Sequence, residues 1–176
     1  MVLGLSLATF TVAHVIITLI AIASGFVVMF GMLRSHRLRG WTAIFLLFTV
    51  LTSLTGFLFP IHGFTPALGT GIVSSILLVV ALFALYGLRL VGLWRWIYVV
   101  TALGALYLNV LVLIVQSFEK VSFLNAAAPQ IGPPFPEPVN MHFVIAQAVA
   151  LVFFVVVGIV AAYRFRPTTR PVMAAA

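Results

Sequence analysis

Four histidines and no cysteine decide which metal chemistry is open to this chain. The absence of thiols excludes iron–sulfur clusters, thiolate zinc sites and cysteine nucleophiles, and makes haem iron held by imidazole nitrogens the metal hypothesis to test. A b-type haem in a helical bundle needs two opposed imidazoles beside an apolar slot, and the candidate ligands are His14, His142 and His62. The alternative is that all three are boundary or loop histidines that need no special partner. His36, flanked by basic residues, is interpreted as a solvated turn residue.

A second set of candidates consists of polar side chains inside long apolar runs. An unpartnered polar group in hydrocarbon costs free energy, so its position is informative. Most such residues lie in the outer half of the predicted membrane spans, among them His14, Thr52, Asn109 and Gln147. One hypothesis is a cleft, open to the outer face, that these side chains line. The alternative is that they only join helices, through hydrogen bonds that contribute about 0.6 kcal/mol each on average.

The sequence offers little other catalytic chemistry. Its two acidic residues, Glu119 and Glu137, both fall in a predicted loop, so no span carries a carboxylate for a proton relay. It contains neither a G-x-S-x-G nucleophile elbow nor a glycine-rich phosphate loop. A small transporter is the third functional hypothesis, and it ranks last because the spans show no pair of inverted halves.

The composition places the chain in a membrane. Of its 176 residues, 64% are hydrophobic and only 6% are charged, and the mean hydropathy is +1.31. A soluble domain carries about 25% charged residues. The formal net charge of +7 does not indicate a nucleic-acid partner, because the basic residues flank apolar spans and do not form a polar stripe.

Arginines interrupt the apolar sequence after every second predicted span. Five spans are predicted, at about residues 10–33, 41–59, 71–88, 95–116 and 141–163. Each is near the ~20 residues that cross a hydrocarbon core of about 30 Å. The arginines that anchor the cytoplasmic side are Arg34, Arg37, Arg39, Arg89, Arg95, Arg164 and Arg166. The pattern therefore predicts an all-α, five-transmembrane-helix bundle with the N-terminus outside and the C-terminus cytoplasmic.

One long connection is predicted on the outer side, at residues 117–140. Five of the nine prolines lie within residues 129–138, so that part is predicted to be extended and outside the hydrocarbon. Just before it, Phe118, Val121 and Leu124 recur at helical spacing and predict a short helix along the outer surface. Residues 1–176 are interpreted as a single transmembrane domain.

Three short motifs carry a resemblance to other proteins. They are His14 in the first span, the turn His36-Arg37-Leu38-Arg39-Gly40, and Trp94-Arg95-Trp96 at the start of the fourth span. Over about residues 10–110 the chain resembles a group of small, uncharacterised bacterial polytopic membrane proteins with a first-span histidine and an H-R-x-x-G turn. Many members have a histidine before the Arg-Trp pair, where this chain has Leu93 and Trp94, so the resemblance implies no two-histidine inner site. It implies a bacterial inner-membrane location and no established activity.

The sequence favours a non-catalytic function. The spans carry almost no side chains that could catalyse a reaction. Small-residue pairs such as Ala21 with Gly25 and Ala146 with Ala150 suit close packing of helices. We therefore expect an accessory subunit of a larger membrane complex, or a binder of lipid or quinone from the outer side. The partners expected are membrane lipids and other membrane subunits or a second copy. The alternative is a redox protein that holds haem b or quinone through its outer histidines.

Overall fold

A computed structural model of the chain describes residues 2, 4–60, 63, 65–125 and 141–166. The helices in these ranges are α1 (Leu7–Leu33), α2 (Arg39–Phe57), α3 (Pro66–Leu82), α4 (Trp94–Lys120), α5 (Ser122–Asn125) and α6 (Met141–Arg164). Five helices are long and apolar enough to cross a membrane, α3 being counted with its continuation to Gly87. No strand occurs in the described ranges, which confirms the predicted all-α fold with five helices of membrane-spanning length. The candidate ligand His62 and residues 126–140 of the predicted loop lie outside them.

Side-chain caps decide where two of the helices begin. The Ser6 hydroxyl accepts a hydrogen bond from the Thr9 amide at 3.1 Å before α1. The Thr65 hydroxyl accepts one from the Leu68 amide at 3.2 Å before α3, and Pro66 fills the first helical position. Both caps satisfy amides that the first turn of a helix leaves unpaired. The third span consequently starts at Pro66, earlier than the predicted residue 71.

The fourth span extends beyond its predicted end at residue 116. α4 continues to Lys120, and the Ser117 hydroxyl donates to the Leu113 carbonyl at 2.7 Å within the helix. A further turn, α5, follows directly. The first part of the predicted loop is therefore helical, because no proline occurs in it to remove a backbone donor.

Four of the long helices form a ring, and the fifth lies outside it. α1 packs against α2 and α4, and α3 packs against α2 and α4, so α1 to α4 close into a four-helix bundle. α6 occupies the groove between α1 and α4. It is the least buried of the five, and the residues it buries are Phe154, Ala161 and Ala162.

Close packing in the ring depends on small residues. Gly25 of α1 lies where α1 meets both α2 and α4, and a Cβ atom added there would be 2.5 Å from Leu106 Cδ1 and 2.9 Å from Phe45 Cε2. Phe45 and Leu106 are almost fully buried. Gly25 therefore lets a large aromatic ring and a leucine fill the centre of the bundle.

All the described arginines lie at one end of the bundle, which we call the arginine end. Arg34 is the C-cap of α1, α4 has Arg95 in its first turn and α6 finishes at Arg164. The Arg166 amide donates to the Ser35 hydroxyl at 2.8 Å, which ties the end of α6 to the turn between α1 and α2. The opposite end, which carries His14, is called the His14 end.

The connection between α3 and α4 is a compact turn at the arginine end. α3 continues as a π-helix over Phe83–Gly87, and the Leu88 amide donates to the Phe83 carbonyl at 3.0 Å. Arg89 and Leu90 then have φ values of 51° and 61°, a conformation that costs free energy outside glycine. Burial of the Leu90 side chain contributes the compensating stabilisation.

The packing around Gly25 generates a prediction about stability. Gly25→Val should lower the free energy of unfolding by about 1–3 kcal/mol, because its branches overlap the Phe45 ring and Leu106. Gly158→Val in α6 is the matched control, since a Cβ atom there meets nothing within 4 Å. Thermal unfolding in mild detergent measures both. Equal losses in the two variants would show that Gly25 has no special packing role.

Candidate functional site

The His14 imidazole joins α1 to α2. Its Nδ1 lies 2.7 Å from the Thr55 hydroxyl, which itself lies 2.7 Å from the Leu51 carbonyl. A hydroxyl has a single proton, and Thr55 gives it to the carbonyl of its own helix. The Thr55 oxygen therefore accepts from His14 Nδ1–H, and in the neutral ring Nε2 is left as an acceptor or metal ligand.

Aromatic side chains fix the orientation of the His14 ring. The His14 and Phe59 rings form a T-shaped pair, with centroids 5.3 Å apart and planes at 84°. Phe10 packs against the same Phe59 ring at 5.0 Å. On the third side, a Cβ atom at Gly56 would be 3.8 Å from His14 Cε1, so the ring lies directly over that glycine. His14 is thus a positioned, half-buried group at the α1–α2 seam.

Thr52 does not join His14. Its hydroxyl donates to the Phe48 carbonyl of its own helix at 2.9 Å. Other hydroxyls in the long helices do the same, each bonding the carbonyl four residues earlier: Ser24, Thr49, Ser75, Thr101 and Ser117. This pairing satisfies a hydroxyl without a second helix and leaves it with little capacity to donate to a ligand.

Ser74 and Asn109 depart from this pattern. Ser74 is 5% exposed and Asn109 is 6% exposed, so both side chains are almost fully buried. Within the ranges that the structure describes, neither Ser74 Oγ nor Asn109 Nδ2 has a hydrogen-bond partner. They are therefore two buried donors with unused capacity, and buried donors of this kind are rare in folded proteins.

The two donors lie at about the same level of the four-helix ring. Gly104 of α4 packs against Leu77 of α3, where an added Cβ atom would be 3.1 Å from Leu77 Cδ1. The two helices run in opposite directions, as the ring contact between Phe83 and Trp94 at 5.8 Å also requires. About one turn from the Gly104 contact, toward the His14 end, α3 carries Ser74 and α4 carries Asn109.

The buried faces of their helices point the two donors toward one core. On α4, Asn109 follows the buried Ala102 and Leu106 at helical spacing. On α3, Ser74 precedes the buried Leu78 and Ala81 in the same way. The structure therefore places two unsatisfied donors, from adjacent helices, in the apolar interior of the ring.

Gln147 belongs to a different seam. Its Nε2 donates to the Leu111 carbonyl of α4 at 3.3 Å, while its Oε1 is buried without a partner in the described part of the chain. α6 faces α4 through Tyr107, whose ring lies 5.6 Å from that of Phe154. Tyr107 and Asn109 are two residues apart, or about 200° around the helix. Gln147 consequently joins α6 to α4 and does not face Asn109.

The candidate haem ligands His14 and His142 share a level but not a direction. α1 and α6 run parallel, with the Phe26 and Phe154 rings 6.1 Å apart, and each histidine precedes its phenylalanine by the same number of residues. On each helix, that interval places the histidine about 120° around the helix axis from the phenylalanine that makes the α1–α6 contact. The rotation has the same sense on both helices, so the two histidines point to opposite sides of the α1–α6 interface. Haem ligation by the histidines stays a prediction, with His62 outside the described residues.

Two residues of this region, Thr55 and Ser74, are not among the predicted site residues. The sequence could have suggested Thr55, because the first two spans are antiparallel and place Thr55 and His14 at about the same depth in the predicted membrane. Ser74 and Ser75 are adjacent in sequence, and only the fold shows that Ser75 bonds the Gly71 carbonyl while Ser74 bonds nothing in the described ranges. Across those ranges, no group of three or more His, Cys, Asp or Glu side chains could hold a metal ion.

The hydrogen bond between His14 and Thr55 predicts an energetic coupling. In a double-mutant cycle, His14→Phe and Thr55→Val should couple by about 0.5–1.5 kcal/mol, because each removes one partner of the same bond. Pairing His14→Phe with Thr52→Val should give a coupling near zero, since Thr52 bonds only its own helix. Unfolding in mild detergent measures the four free energies of each cycle. Equal coupling in the two cycles would contradict the assignment.

The chain matches no protein-family model, no curated protein and no solved structure.

Proposed function

We propose that this protein is a non-catalytic integral membrane protein that binds an apolar ligand through a carbonyl oxygen. A quinone or the ester group of a lipid has the required chemistry. The observation that carries this proposal is the pair of buried donors, Ser74 Oγ and Asn109 Nδ2, in the core of the four-helix ring. Each unpaired donor costs about 1–3 kcal/mol. A carbonyl oxygen that accepts from both would recover that free energy.

The surroundings of the two donors favour an apolar ligand over an ionic one. No charged residue occurs in α3, and the charged residues of α4 lie in its first turn and at its C-terminal end. A charged ligand in this core would lack a counter-ion, and desolvating it would be costly. A quinone or lipid reaches the bundle from the bilayer and has acceptor oxygens in an otherwise apolar body. Ligand pockets of this kind join apolar walls to a few placed polar groups.

A second candidate function, as an accessory subunit, is favoured by α6. Most side chains of α6 are exposed, among them Val149, Val152 and Val156. By contrast, the small-residue pair of Ala21 and Gly25 is buried inside the ring. The side of α6 that points away from the four-helix ring is therefore the surface on which a second membrane subunit or another copy of the chain would pack.

The orientation in the membrane is part of the same proposal. We place the arginine end at the cytoplasmic face of a bacterial inner membrane, with the N-terminus outside. The proposal is supported by the location of every described arginine at one end, because positively charged segments are retained on the cytoplasmic side during insertion.

The orientation predicts which end of the protein a membrane-impermeant reagent can reach. Because the chain has no cysteine, a single introduced cysteine can be labelled without background. In right-side-out vesicles, a membrane-impermeant maleimide should label Gly4→Cys near the N-terminus, whereas Val91→Cys at the arginine end should react only after the membrane is opened. Both positions are exposed, so burial cannot explain a difference. The reverse labelling pattern would invert the proposed topology.

Ligand binding predicts a loss that is specific to the two donors. Protein purified in mild detergent should carry a quinone or lipid that mass spectrometry identifies after extraction. Asn109→Leu and Ser74→Ala should each lower its occupancy by about tenfold or more, because a buried donor is removed. Ser75→Ala is the matched control and should change occupancy less than about twofold, since Ser75 bonds its own helix.

The same preparation separates the alternatives. A second polypeptide that co-purifies without any ligand would favour the accessory-subunit function, and a Soret band would favour haem. Without ligand, Asn109→Leu should raise the free energy of unfolding by about 1–3 kcal/mol, because it removes an unpaired buried group. A lone monomer that carries neither ligand nor partner would overturn the proposed function.

A further inference from the structure

The arginine end carries positive charge that no described residue neutralises. Its seven described arginines are Arg34, Arg37, Arg39, Arg89, Arg95, Arg164 and Arg166. In the described ranges the only acidic residue is Glu119, near the far end of α4. Glu119 is 24 residues from Arg95, which corresponds to about 36 Å along the helix. The described residues therefore offer these arginines only uncharged hydrogen-bond acceptors. A negatively charged partner has to come from outside the described part of the chain.

Arg95 differs from the exposed arginines around it. Its side chain is half-buried, and its Nε is fully buried without a hydrogen-bond partner in the described ranges. Arg95 lies in line with the buried Ala102 and Leu106 on the core-facing stripe of α4, in the first turn of that helix. Its apolar stem therefore covers this end of the core, and its guanidinium carbon lies 5.8 Å from the centroid of the Trp96 ring.

Aromatic side chains place Arg95 at the level of the lipid headgroups. Its two neighbours are tryptophans that pack in opposite directions along the surface of α4. Trp94 meets Phe83, the first residue of the π-helix that continues α3, at 5.8 Å. Trp96 meets Tyr163 of α6 at 5.0 Å, and both contacts are edge to face. Tryptophan and tyrosine concentrate at membrane–water interfaces, where lipid phosphates also lie.

A second half-buried arginine, Arg37, comes from the turn between α1 and α2. The bond from Arg166 to Ser35 holds this turn against the end of α6. Phe165, next to Arg166, packs against Tyr98 at 6.1 Å, one turn beyond Arg95. The fold thus brings the turns that carry Arg37 and Arg95 to one mouth of the bundle.

We propose that this mouth binds the phosphodiester of an anionic phospholipid, with Arg95 as its main contact. An arginine fork matches the geometry of two phosphate oxygens, and the half-buried Arg95 has no acidic partner in the described ranges. A lipid is the occupant because exposed apolar side chains adjoin the site: Val91 and Leu93 are 68% and 72% exposed. They offer acyl chains a surface that a soluble anion does not use. Arg95 is 14 residues from Asn109 on α4, or about 21 Å along the helix, so the site is independent of the ligand proposed there.

Native mass spectrometry of the full-length protein tests this proposal. Phosphatidylglycerol and phosphatidylcholine with the same acyl chains are added separately to protein in nonionic detergent. Phosphatidylglycerol should bind about tenfold more tightly. Arg95→Gln should remove that preference, whereas Arg164→Gln, an equal change in net charge at an exposed position, should alter it less than about twofold. Equal losses in the two variants would mean a diffuse attraction and would overturn the site.

Two further measurements keep the test decisive. If Arg95→Gln does not fold, Arg95→Lys retains the charge and should still lower phosphatidylglycerol binding by about threefold, since lysine lacks the planar fork. Unchanged binding in Arg95→Lys would then contradict the proposal. Excess inorganic phosphate should leave the bound lipid in place. Displacement by phosphate would show a site for a soluble anion and would overturn the assignment to lipid.

Discussion

The long helices of this protein have to satisfy their own hydrogen bonds, because the interior of a bilayer offers no water to replace a missing partner. The same constraint extends to the hydroxyl side chains. Thr52 and Ser75 donate to carbonyls of their own helices, and Thr55 does so while it also accepts from His14. Most polar atoms of the spans are thereby satisfied before the helices meet. The few that are not, Ser74 Oγ and Asn109 Nδ2 above all, stand out for that reason.

Helix packing adds a second division, between the ring and α6. In the ring, Gly25 lets Phe45 and Leu106 approach α1, and the core becomes dense and mostly apolar. α6 contributes little to that core and keeps most of its aliphatic side chains on the outside. Gln147 is one of its few polar links to α4. The ring is therefore the densely packed part of the molecule, and α6 is the part whose apolar side chains stay exposed.

The two ends of the bundle differ in chemistry. The His14 end has a positioned imidazole held by Thr55 and Phe59, and the buried donors lie between it and the centre of the core. The arginine end has clustered positive charge, the ring contacts of Trp94 and Trp96, and a compact turn through Arg89 and Leu90. The two ends therefore differ in the charge and in the polar groups that they offer. We propose an apolar ligand with a carbonyl for the first region and an anionic headgroup for the second.

The sequence by itself determined the number of long helices and the grouping of the arginines, because hydrophobic length and basic flanks are local properties. It also identified Asn109 as a polar residue of the spans. It missed the start of the third span, where the cap at Thr65 outweighed the glycines that follow, and the continuation of α4 to Lys120. The tertiary structure alone decided that His14 bonds Thr55 and that Ser74 shares a core with Asn109, whereas Gln147 belongs to another seam. Those outcomes depend on the rotation of each helix about its axis, which is fixed only when the helices pack against one another.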